Sequence, residues 1–211
     1  MQQRATQAST APLLPPDGKQ RIQAIVGTFL YYGLGINSTI LVTLNEIGGQ
    51  QSTATTDTEK KCAKLMDYLN SHPDAVVQFH ASDMILYIES DAAYLVLPKA
   101  ISCVTSIFCL SNTTAGRHPL NGAIQVIWKT LQNVVSSVAK AETGGIFIGG
   151  QQAVPIITVL SELNHQQPAS GTRISTNKST AKGFLAANLR QKLSKAFDMQ
   201  YCWIKDIIKQ R

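Results

Sequence analysis

Between residues 71 and 75 the spacing of apolar residues changes period, and that change constrains the fold more than any other feature of the chain. Upstream, Ile22, Ile25, Val26, Phe29 and Leu30 recur at the i, i+3, i+4, i+7, i+8 spacing of one helix face. A second helix is predicted from Asn37-Ser38, with Ile40, Leu41, Leu44 and Ile47 on one side and Gly48-Gly49 as its stop. A third opens on the capping box Thr56-Asp57-Thr58-Glu59, carries Cys62, Leu65, Met66 and Leu69, and ends before His72-Pro73. Downstream, "AVVQFH" (75–80), "MILYIES" (84–90), "VTSIFCLS" (104–111) and "GAIQVIWK" (122–129) read as successive strands. Residues 131–163 are mostly helical in pattern, although Gly144, Gly145, Gly149, Gly150 and Pro155 weaken it. A short strand "RIST" (173–176) and helical stretches near 180–190 and 195–210 follow. The expectation is an α/β domain over 75–211, with a mixed sheet flanked by helices. A small helical subdomain over 18–74 precedes it. Residues 1–17, with Pro12, Pro15 and Pro16, read as a flexible lead-in.

The 211 residues are enough to bury a core, and 44% hydrophobic content argues against wholesale disorder. No stretch reaches the roughly 18 apolar residues of a membrane span. The opening "MQQRATQASTAPLLPP" has no signal-peptide apolar core, so an intracellular, non-secreted protein without a membrane partner is expected. Cys62, Cys103, Cys109 and Cys202 lack the C-x-x-C spacing and read as reduced core thiols. His72, His80, His118 and His165 are isolated, which disfavours zinc. No nucleophile elbow, phosphate-binding loop or dinucleotide fingerprint is present.

The net charge of +6 is unevenly placed. Residues 173–211 hold nine of the basic residues against only Asp198 and Asp206, a net +7. Arg173, Lys178, Lys182, Arg190, Lys192 and Lys195 are the candidate contacts to a nucleic-acid backbone, whose binding rests on neutralised phosphates. The plain alternative is a solvated basic helix.

Three acids invite a second question. Asp91 follows the apolar run 84–88, Glu142 lies on the long helix after the strands, and Asp198 opens the last helix. Carboxylates so placed can converge at one end of a sheet and hold divalent ions. Any α/β protein offers three acids, so spacing alone is a generic signal.

The words around the acids are more specific. "RIQAIVGTFLYY" is similar to an R-x-x-x-x-V-G-x-L-x-Y-x helix, and "KLMDYLNSHPDAVVQFHAS" to the helix and strand that follow it. "YIESDAAYL" matches an S-D-A-x-Y/W segment, and "SSVAKAETGGIF" an S-x-x-x-A-E-A-E-x-x-A-L segment. "STNKSTAKG" stands where a T/C-D-N-x-S/T-A segment is expected. "KAFDMQYCWIKD" is similar to K-H/A-I-D/E-x-x-x-x-F/W-x-R-D/E. In this order the chain from about Lys19 to Arg211 resembles the end of the pol polyprotein of copia-type retrotransposons, the helical tail of the reverse transcriptase followed by its ribonuclease H domain.

The resemblance implies a ribonuclease H-like sheet preceded by a connection-like helical subdomain, with the family's segment beyond Arg211 lacking. It also implies an ancestral hydrolysis of RNA in RNA/DNA hybrids with Mg²⁺ or Mn²⁺, and the rest of a pol polyprotein as partner. Asp91, Glu142 and Asp198 fall on family metal-binding and catalytic carboxylates. The remaining one is Asn177, followed by Lys178 where the family has Asn. An amide is a weaker Mg²⁺ ligand than a carboxylate. Lys140, "KAISCVTS" (99–106), Gly145 and Gly150 depart from the family too, as sequence decay would produce. The expected function is therefore that of a polyprotein fragment with a degenerate active site. The alternatives are a non-catalytic nucleic-acid-binding remnant of the same fold and an unexpressed pseudogene product.

Overall fold

The computed structural model describes residues 11–97, 101–112, 121–131, 135–169, 171–176 and 203–204. The chain divides into two compact units, Met1–Val77 and Gln78–Arg211.

The first unit is built from α1 (Pro16–Gly35), α2 (Leu41–Gln50) and α3 (Thr56–Ser71), with short 3₁₀ turns at Ser38–Ile40 and Gln51–Thr53. The expected apolar stripes become its core: Ile22, Ile40, Leu44, Ile47, Cys62 and Leu65 are buried together. Two local expectations are corrected. The capping box of α3 lies one residue earlier than expected. Thr55 is the N-cap, its hydroxyl accepting from the Thr58 N–H and its own N–H donating to Thr58 Oγ1. Glu59 instead pairs with Arg21 across to α1. Residues 11–15, part of the expected lead-in, are tied to the helical unit. Leu14 is buried in the helical core, and Leu14 N and Thr56 N form backbone hydrogen bonds with Ala54 and Pro12 at 2.9 and 3.1 Å.

The second unit is a mixed sheet of order β3-β2-β1-β4, formed by β1 (Ile85–Leu97), β2 (Ile101–Ser111), β3 (Ala123–Thr130) and β4 (Arg173–Thr176). β1, β2 and β3 form an antiparallel meander, whereas β4 runs parallel to β1. The helix α4 (Val138–Glu162) connects β3 to β4, the crossover that a return to parallel pairing requires. The strand expected at 75–80 does not form. Residues 72–84 carry no regular structure, and Asn121 ties part of this segment down by accepting from His80 N and donating to His80 O.

Strand alternation sorts the sheet into two faces. Leu86, Ile88, Phe108 and Ile127 pack with Ala153 and Leu160 of α4. Tyr87, Glu89 and Asp91 alternate with them and take the other face, as do their register partners Cys109, Ile107 and Thr105.

The helix glycines, expected as weak points, are where α4 comes closest to the sheet. A Cβ on Gly145 would lie 2.8 Å from Ser90 Oγ, and one on Gly149 would lie 3.2 Å from Ser106 Oγ. The roughly 1 kcal/mol that glycine costs a helix is thus set against backbone-close packing. Pro155 sits on the exposed side of the same helix. By length and composition α4 is also long and apolar enough to cross a membrane, contrary to the sequence expectation, yet here it packs against β1 and β2.

Candidate functional site

β1 is the central strand that carries the candidate site. The apolar run Leu86–Ile88 buries it, and beyond that run its outward positions become acidic. Glu89 and Asp91 are both exposed, two residues apart on the face away from α4. There they line a cleft of about 320 Å³ with Ser90, Thr105, Ile107, Ser175 and Thr176. Thr105 stands directly across from Asp91 on β2, and Ser175 across from Glu89 on β4. The Tyr87 hydroxyl donates to Glu89 Oε1 at 3.1 Å. Burial pushes the Tyr87 phenol above its ordinary value. A hydrogen bond with Ser175 opposes that rise, and the Glu89 carboxylate adds to it. Tyr87 therefore stays protonated and orients Glu89 as a donor.

Glu142 occupies different ground. It lies in the second turn of α4, is 0% exposed, and accepts a hydrogen bond from Thr176 Oγ1 at 2.9 Å through Oε2. A carboxylate is buried at large cost unless hydrogen-bonded or paired, so this bond is a condition of its position. Thr176 also lines the cleft that Asp91 enters. Asp91 and Thr176 thus line one cleft, and Thr176 reaches the buried Glu142.

Of the remaining candidates, Arg173 opens β4 beside Tyr87 and is half-buried. Asn177, Lys178, Lys182, Arg190, Lys192, Lys195 and Asp198 lie outside the described residues. Cys62, Cys103 and Cys109 are free, and burial raises each thiol above its ordinary value, which keeps them protonated and unreactive. Among the cleft residues that sequence reasoning did not carry forward are Glu89, Thr105, Ser175 and Thr176. Glu89 was legible, because period-two alternation puts it on the face of Asp91. The three hydroxyl residues depend on strand register, which no local pattern reveals.

The resemblance implies Mg²⁺ or Mn²⁺. The cleft offers only oxygen donors, the chemistry those hard ions prefer. Among the described residues, however, no group of three or more His, Cys, Asp or Glu side chains gathers to hold a metal ion. These residues alone do not make up the implied centre, and no reaction step is derived through it. No protein-family model matches the chain, and no curated protein or solved structure matches it.

Proposed function

We propose that residues 78–211 form a ribonuclease H-like domain, a fragment of a copia-type retrotransposon polyprotein that binds RNA/DNA hybrid and cleaves it very slowly or not at all. The observation that carries the reading is topological. An antiparallel β1-β2-β3 meander is followed by a crossover helix and a β4 parallel to β1, with Asp91 on the central strand and Glu142 on the helix after the meander. A mixed sheet flanked by a helix, with one acid on an inner strand and one on the next helix, agrees with the fold that the resemblance implies and supports the reading. The basic residues of 173–211 supply the charge for a phosphate backbone.

Loss of cleavage is supported from two sides. Asn177 replaces a carboxylate by a neutral amide in the implied ligand set. Glu142 is held by Thr176 in the packed interior behind the cleft. These features favour a binding remnant over a working nuclease.

The test is a titration of labelled RNA/DNA hybrid at rising salt, with cleavage followed in Mg²⁺. Binding that weakens steeply with salt, little cleavage, and recovered cleavage in Asn177→Asp with Lys178→Asn are the expected results. A flat salt response contradicts the binding reading. Robust hydrolysis by the unmodified chain, lost in Asp91→Asn, contradicts the degenerate-site reading.

A further inference from the structure

We infer that Thr176 is a positioning residue for Glu142, and that its hydroxyl fixes the carboxylate at the back of the cleft. The inference rests on the proposed reading only in giving Glu142 a role; its geometry stands by itself. Thr176 is the last residue of β4 and pairs in register with Ser90, directly beneath the close approach of Gly145. Its hydroxyl donates to Glu142 Oε2 at 2.9 Å, while the residue itself forms part of the cleft wall. One residue therefore meets the buried acid and also lines the cleft. A hydrogen bond in a dry interior is electrostatically strong, and its directionality selects one rotamer of the acid.

Three substitutions separate the hydroxyl from the bulk that carries it. Thr176→Ser keeps the donor, Thr176→Val keeps the bulk without the donor, and Thr176→Ala removes both. The measurement is infrared difference spectroscopy of the full chain at one fixed pH without nucleic acid. The carboxylate stretch of Glu142 is identified by its loss in Glu142→Gln. A positioning role predicts a shifted stretch in Thr176→Val and Thr176→Ala and an unshifted one in Thr176→Ser.

An unshifted stretch in both the Val and Ala variants overturns the inference, as does a Ser variant that behaves like Val. Should those variants not fold, the wild-type chain still decides. By NMR the Thr176 hydroxyl proton should exchange slowly with water, and rapid exchange overturns the inference. Failure of the hybrid titration with a shifted Glu142 stretch would sink the nucleic-acid reading and leave the role of Thr176 standing.

Discussion

The two units of this chain bury different things. The helical unit buries aliphatic residues almost alone: Ile22, Ile40, Leu44, Ile47 and Leu65 meet in one cluster, with Asn37 and Thr58 as its buried polar residues. Its charged pairs, Arg21–Glu59, Lys61–Glu46 and Lys60–Asp57, lie toward the surface, where such pairs contribute little. The sheet unit buries Ser90, Ser102, Ser106, Ser111, Glu142 and Thr143. Ser90 Oγ and Ser106 Oγ have no hydrogen-bond partner among the described residues. Polar groups of this kind cost stability, and a core selected for stability alone has no use for them. The difference is one of interior polarity, and it lies on the side of the sheet unit.

The comparison breaks most decisively in the cores. Phe108 is fully buried at the centre of the sheet unit, and Phe108→Ala should cost about 3–5 kcal/mol. Amide exchange should then accelerate across β1–β4 while α1–α3 keep their protection. Equal loss in both units would show that they unfold as one. A smaller, opposite pair of effects tests the glycines. Gly145→Ala should destabilise by about 1–3 kcal/mol through overpacking against Ser90, with relief in the Ser90→Ala double variant. Gly27 on α1 has nothing within 4 Å of an added Cβ, so Gly27→Ala should stabilise by about 0.5–1 kcal/mol. Thermal midpoints of both variants check the contrast, and a stabilising Gly145→Ala would mean that the close approach does not constrain the helix.

At the helical unit's own weak point, Thr55→Ala removes the α3 cap and should cost about 1 kcal/mol, read by denaturant titration. The smallest effect expected is on alkaline stability. Burial raises the folded-state values of Tyr87, Cys103 and Cys109, so the folded sheet unit binds protons more tightly than the unfolded chain. Their contribution is complete below the ordinary thiol and phenol values and is lost as pH rises through the raised ones. The helical unit carries one such group, Cys62. Alkaline titration followed by exchange should therefore loosen the sheet unit first, and Tyr87→Phe should reduce the difference.

How much of this was legible in the sequence depends on the range of the interaction involved. The three helices were readable because their apolar stripes repeat within a turn or two. β1 to β3 were readable in position because each contains an apolar run, although β1 continues past the expected end at 90 to Leu97 and β2 begins at Ile101. The strand expected at 75–80 failed because β-prone residues such as Val76 and Phe79 need a partner strand, and both remain exposed. The glycines of α4 were misread for the same reason. Locally Gly145 is a helix weakener, and only the position of Ser90 on β1 explains it. Asp91 and Glu142 could be singled out from the sequence, but the contact of Thr176 with Glu142 could not, because it depends on the parallel pairing of β4 with β1.

That parallel pairing also sets an order of events as the chain is synthesised. The β1-β2-β3 meander is joined by short connections and can close as soon as residue 130 is available. β4 must wait for all of α4, since Arg173 pairs with Tyr87 only after the crossover is complete. During that interval one edge of β1 is open. Exposed strand edges are where nascent chains aggregate or attract chaperones. The residues that terminate this interval are the four of β4, and the last of them is Thr176, so the step that closes the sheet is the one that brings the Thr176 hydroxyl to Glu142.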